Sequence, residues 1–166
     1  MDDLKGLRRE AKLLRKAYLS GDRQAILHTT QWIGETNDPK HADFLHAVAR
    51  QRGFPSWPKL KVAVEAAGLT RAEAEERFRG ALYSGQKPWI ERLLAQFPDI
   101  GRANFGLACA TYDLHAVTLG LAQDPGLATK VIGTRSPLLH QRYSQRGRLG
   151  FGRAEDALAI AKLLVA

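Results

Sequence analysis

Five histidines, a single cysteine, three tryptophans and a run of arginines among glycines are the side chains of this sequence best suited to chemistry. His41 and His46 stand five apart, on different faces of a helix, whereas zinc motifs on a helix need i, i+4 spacing. His28, His115 and His140 are isolated, so all five read as surface or hydrogen-bonded helix residues. Glu73, Glu75 and Glu76 form the acidic first turn expected at a helix N-terminus. An acid–base pair would need one of them buried and another nearby in a cleft. Cys109 lies between Ala108 and Ala110 with no base placed beside it, which suits a small buried hydrophobe better than a nucleophile. Alone, it permits no internal disulfide and no cysteine-based metal site. Trp32, Trp57 and Trp89 could stack on bases or sugars, but all fall within or at the start of second helices at core-like positions, where packing is favoured. The expectation is a protein without catalytic residues, metal or cofactor.

The segment from Arg146 through Gly147, Arg148, Gly150, Gly152 and Arg153 is different. With Arg135 and Arg142 it makes a basic patch that meets no acid before Glu155. A glycine-rich loop entering a helix N-terminus can cradle phosphate through its N–H groups. This one lacks the Lys-Ser/Thr of a P-loop and the strand that precedes it. The alternative is a surface insertion that glycine and arginine keep flexible and soluble. Insertions in repeats gather on a binding face, which keeps the functional reading open.

The elements that must position these residues are helices. Apolar residues recur at helical spacing almost throughout, and almost nothing alternates like a strand. Leu4, Leu7, Ala11, Leu14 and Tyr18 share one face of the first helix; Lys5, Arg8, Arg9, Lys12, Arg15 and Lys16 occupy the other. Gly21 should stop that helix and Asp22 should cap the next, through Ile33. Gly34 to Pro39 reads as a turn-rich link. A third helix at 40–52 ends at Gly53, and Ser56 and Pro58 open a fourth that runs to about residue 67. Thr70 and Glu73 form a capping box for the fifth, Pro88 stands near the start of the sixth, and helices are expected at 102–112, 113–123, 136–145 and 154–165. The last carries only Glu155, Asp156 and Lys162 as polar residues, so it expects cover on both sides, from a partner or from further repeats.

At 166 residues with a 45% apolar fraction, the chain suits one domain with a real core. Met1-Asp2-Asp3-Leu4 shows no signal-peptide pattern, and no apolar run is long enough to span a membrane, so a soluble cytoplasmic protein is expected. The formal charge of +8 suits an acidic protein or a nucleic acid as partner, and also occurs as plain solubilising surface.

The helices repeat. Leu94-Ala95-Gln96-Phe97-Pro98-Asp99-Ile100 returns 27 residues later as Leu121-Ala122-Gln123-Asp124-Pro125-Gly126-Leu127, and Phe78, Ala81 and Ile90 align with Phe105, Ala108 and Val117. Ala17, Ala49 and Ala81 recur at intervals of 32, each four residues before Gly21, Gly53 and Gly85. A small residue at a close helix approach, then a helix-ending glycine, suits stacked helix pairs.

This register resembles the ankyrin repeat. In that family a first helix opens with Thr-Pro-Leu-His, reaches an alanine pair and ends at a glycine, and the second helix carries a Leu-Leu pair eight and nine residues later. Leu14, Phe78 and Phe105 stand where the family's leucine stands. Ala17, Ala49, Ala81 and Ala108 fit its alanine, Gly21, Gly53 and Gly85 its glycine, and Leu93-Leu94 its leucine pair. Arg135-Ser136-Pro137-Leu138-Leu139-His140 is similar to the opening signature with one residue inserted, which implies a structural role for His140. The chain as a whole looks like bacterial ankyrin-type proteins. The resemblance implies an all-α solenoid of about five helix pairs (4–33, 40–67, 70–97, 101–123 and 136–165) in a single domain, with hairpin fingers shortened or absent. It further implies a protein-interaction scaffold that binds an acidic partner through a concave face of inner helices and loops. Candidate partner-binding residues are Tyr83, Lys87, Tyr112, Arg142, Tyr143, Arg146, Arg148 and Arg153, most of them expected to be exposed. Sequence-tolerant nucleic-acid binding by the basic first helix and the C-terminal arginines is the alternative, and self-association through the last helix is compatible with either.

Overall fold

The structure is a computed structural model that describes residues 3–36 and 38–165. Met1 and Asp2 of the acidic opening, Asn37 of the link and Ala166 lie outside the described residues. Among the described residues there are ten α-helices and no strand; only Ile132 and Arg135 form an isolated antiparallel bridge. The chain divides into two compact units, Met1–Gly68 and Leu69–Ala166.

The first unit holds α1 (Leu4–Leu19), α2 (Arg23–Ile33), α3 (His41–Gln51) and α4 (Trp57–Ala67). Leu7 and Ala11 of α1 bury against Phe44, Val48 and Ala49 of α3 and Leu60 of α4. Around them close Leu4, Leu14 and Tyr18, the expected apolar face of α1, with the Tyr18 ring edge-on to Phe44. A two-pronged ion pair from Arg52 to Glu10 (3.1 and 2.6 Å) ties the end of α3 to α1. Asp22 caps α2 as expected, its carboxylate accepting the Ala25 N–H at 2.8 Å. At the start of α4, Pro58 sits in the first turn after the N-cap Ser56. The Trp57 N–H, which has no helical partner, donates to His46 Nδ1.

The second unit holds α5 (Arg71–Ser84), α6 (Lys87–Gln96), α7 (Phe105–Ala110), α8 (Leu114–Gln123), α9 (Pro137–Tyr143) and α10 (Ala154–Val165). The Thr70–Glu73 capping box is present, so the Glu73 carboxylate serves the helix end. Glu75 accepts from Arg71, which also forks onto Asp99 at 2.8 and 3.0 Å, and Glu76 pairs with Arg79. The acidic cluster is thus taken up by the helix cap at Glu73 and by local ion pairs at Glu75 and Glu76. Helices α7 and α9 are shorter than expected, and the chain from Ile100 to Arg102 forms a separate 3-10 turn. Asn104 then caps α7 through the Leu107 N–H, which moves the start of that helix forward.

The repeat is written in the backbone. Gly21, Gly53 and Gly85 all have positive φ, at 80°, 78° and 69°. The residue after each donates its N–H to the carbonyl of the aligned alanine: Asp22 to Ala17, Phe54 to Ala49 and Gln86 to Ala81, at 2.9–3.1 Å. This is the six-to-one hydrogen bond of a Schellman cap, and it requires a left-handed residue between donor and helix. The alanine–glycine spacing therefore has a hydrogen-bonding cause. In the fourth pair Asp113 donates to Ala108 in the same way, at 3.0 Å, but the left-handed position belongs to Tyr112 (φ 59°). The 27-residue echo recurs in dihedrals too. The N-caps Gln86 and Asp113 have φ, ψ of −79°, 76° and −81°, 83°; the C-caps Phe97 and Asp124 have −134°, 83° and −143°, 93°.

Helix α10 buries Ile160 and Leu164 against Ala108, Cys109 and Val117. Leu158, Leu163 and Val165 remain exposed on its other side. Ile26, which aligns with the buried Ile90, is exposed, because α2 buries only Ala25 and Thr29.

Candidate functional site

The candidate residues gather in the second unit around the 146–153 segment, and the first structural result is that this segment is folded, not loose. Gln145 N–H donates to the Leu82 carbonyl at 2.8 Å, and Leu149, Gly150 and Phe151 close turns back onto residues 145–147. Gly152 lies close against the Tyr112 side chain: a Cβ at that position would come within 2.6 Å of Tyr112 Cδ2. The hydrogen-bonded turns give the segment a defined path. Its glycines allow close approach to an aromatic ring and a left-handed turn at Gly150 (φ 74°).

Tyr112, Arg142 and Arg148 come together along a groove of about 690 Å3 between α9, α10 and this segment. Leu138, Leu139, Ala157 and Ala161 supply its apolar surface. None of those four residues is among the candidates expected from the sequence, although Leu138-Leu139 stands within the segment similar to the repeat signature. Arg142 makes no ion pair among the described residues, and Arg148 reaches only Gln145 Oε1 at 3.2 Å. Gln141 donates to the Ala157 carbonyl and so holds α9 against α10.

Tyr83 and Tyr143 form a second cluster. Arg135, from the turn before α9, places its guanidinium 4.7 Å from the Tyr83 ring centre and 4.8 Å from that of Tyr143. Tyr143 is exposed, whereas Tyr83 is half-buried and donates its hydroxyl to His140 Nδ1. His140 is 2% exposed, and its Nε2–H donates to the Ile132 carbonyl at 2.9 Å. Both ring nitrogens are satisfied by the neutral ring, which gives His140 a structural place at the foot of α9. Burial pushes its pKa below the ordinary value, against the hydrogen bond to Ile132, and the charges of Arg79 and Arg135 push it the same way.

That shift has a defined sign. The unfolded chain takes up a proton at about pH 6.5, before the folded His140 does. The stability contributed by the neutral ring is therefore full above that pH and is lost as pH falls through the lower folded value. Denaturant midpoints from pH 8 down to pH 5 should decline, and His140→Gln should flatten this part of the profile. An unchanged slope in the variant would remove the assignment.

The remaining candidates disperse. Lys87 opens α6, is exposed, and holds its Nζ 5.4 Å from the Phe151 ring centre. Arg153 pairs with Glu155 at 2.8 Å. Arg146, expected to be exposed, is folded inward beside Tyr112 and Gly152 because the segment closes over it. Cys109 is fully buried, and burial pushes its thiol up to about 12, far from a nucleophile's range.

Compared with models of known protein families, with curated proteins and with solved structures, the chain matches none. Among the described residues no three His, Cys, Asp or Glu side chains are grouped to hold a metal ion, and no helix is long and apolar enough to cross a membrane. In the first unit, Lys12, Arg15, Lys16 and His41 line a shallow cavity of about 400 Å3 on α1 and α3.

Proposed function

We propose that the chain is an ankyrin-like helical-repeat scaffold that binds an acidic protein segment, in the cytoplasm, along the α9–α10 groove. The observation that carries this reading is the pairing of an apolar groove with two arginines, Arg142 and Arg148, that have no acidic partner among the described residues. Apolar anchors in such a groove supply affinity, while arginines at the rim select acidic over basic segments and speed encounter. An acidic peptide with one or two large apolar side chains is the matching occupant. Fluorescence anisotropy with such a peptide, its basic counterpart and its alanine-substituted form is the direct test. Only the first should bind, more weakly as salt rises, and Arg142→Glu with Arg148→Glu should lower affinity at least tenfold, about 1.4 kcal/mol. Equal binding by the double variant would sink the assignment.

A second reading has its own support. Lys5, Arg8, Arg9, Lys12, Arg15 and Lys16 of α1 are all exposed and make no ion pair among the described residues, a pattern suited to sequence-tolerant nucleic-acid binding. Duplex or single-stranded DNA should then bind at low salt and release steeply as salt rises. No retention at low salt would remove it. Self-association through the exposed leucines of α10 would show instead as a concentration-dependent mass in sedimentation.

A further inference from the structure

Tyr112 also borders a separate cavity of about 510 Å3, bounded by α6, the turn at 100–102, the 111–113 link, α8, Arg146 and the start of α10. Arg146 forms part of its wall. Its guanidinium makes no ion pair or hydrogen bond among the described residues, and Nε and Nη1 are shielded from solvent as well. Gly152 lies close to the Arg146 Cγ and Nε, and the guanidinium carbon is 6.0 Å from the Phe151 ring centre. Arg146 is half-buried, and a cation drawn out of solvent without a counter-charge is costly, so folded chains ordinarily pair it. Burial accordingly pushes the Arg146 pKa below the ordinary arginine value, opposed by nearby Tyr112 and Asp113.

The carboxylates nearby do not supply that partner. Asp113 is committed to Arg102 and to the Ala116 N–H at 3.0 Å as the N-cap of α8. Burial alone would raise its pKa, but those hydrogen bonds outweigh it and hold the carboxylate ionised. Asp156, in the first turn of α10, lines the cavity and makes no ion pair among the described residues. The wall thus carries Arg102, Arg146 and the imidazole of His115 beside Asp113 and Asp156, and a dianion would meet two carboxylates. A singly charged ligand is better matched. Leu94, Pro98 and Leu114 add apolar wall, and the volume falls in the usual range for small-ligand sites.

We infer that this cavity binds an organic monocarboxylate, its charged end at Arg146 and its apolar body against Leu94, Pro98 and Leu114. The carboxylate is either that of a free acid or one borne on a peptide. The site is distinct from the α9–α10 groove and does not rest on that assignment.

The test follows the Arg146 Nε–H resonance of the 166-residue chain while hexanoate, inorganic phosphate or a blocked tripeptide with one central glutamate is added. A saturable shift with hexanoate supports a free-acid ligand; a shift with the peptide alone supports the same site with a peptide-borne carboxylate. Response to phosphate alone, or to none of the three, overturns the inference. Arg146→Met should weaken hexanoate binding, followed by calorimetry, at least tenfold while leaving the melting temperature unchanged or raised, because it removes an unpaired charge. A marked fall in melting temperature would make Arg146 a structural residue and overturn the site, as would retained binding. Asp156→Asn should tighten binding several-fold by removing a competing carboxylate. The Arg142→Glu, Arg148→Glu protein should keep its carboxylate response; if the response goes with the groove, the ligand belongs there and this cavity is overturned.

Discussion

Gly106→Ala should destabilise the protein by about 1–3 kcal/mol, the cost of overfilling a packed core, although alanine is ordinarily the better helix former. A Cβ on Gly106 would stand 2.9 Å from His140 Cδ2 and Nε2. A ring at the end of a side chain could often swing aside, but this one is buried and held at both nitrogens by Ile132 and Tyr83. Relief of the clash requires breaking one of those bonds or moving α7 away from α9. Gly80, in α5, has open space where its Cβ would lie, so Gly80→Ala should stabilise by up to about 1 kcal/mol. Urea unfolding of the two variants beside the parent measures the contrast. Two changes of the same sign and size would show that His140 does not pack on α7.

Tyr112 gives the second large effect. It occupies the left-handed position that glycine holds in the three preceding pairs, and its ring carries Gly147 and Gly152 and walls both cavities. Tyr112→Ala loses the ring and keeps the strained backbone, for an expected loss of about 2–3 kcal/mol for a partly buried aromatic. Tyr112→Gly loses the same ring but relieves the left-handed conformation, so it should recover about 1 kcal/mol of that loss. Equilibrium unfolding of both variants decides the matter. If glycine were no better than alanine, backbone strain at this position would be excluded. Retaining a tyrosine at a backbone cost is what a functional position would look like, and the two cavities on its flanks give that cost a reason.

Much of the local structure was legible in the sequence. Asp22, the Thr70–Glu73 box and the glycines at 21, 53 and 85 announce helix ends because the caps they form involve residues only a few positions apart. The same holds for the alanine–glycine register, which turns out to be the donor–acceptor spacing of one cap hydrogen bond. In the fourth copy Ala108 keeps the register, but a tyrosine stands at the glycine position. No local pattern announces a non-glycine residue held left-handed by the packing around it.

The candidate site was legible only in pieces. Arginine and glycine content marked 146–153 as the departure from the repeat, and Tyr112, Arg142 and Arg148 do share a groove. Which arginine would face solvent and which would be enclosed was decided by Gly152 closing on Tyr112, 40 positions earlier in the chain. Tyr83 meets His140 across a separation of 57 residues, and Arg135 enters between two tyrosines from a turn that the sequence marks only as a loop. Helix type, helix ends and the 27-residue period come from short-range hydrogen bonding and steric preference, and the sequence determines them by itself. The unpaired Arg146, the buried neutral His140 and the groove depend on which helix faces meet. Burial sets those properties, and burial exists only once distant segments have packed.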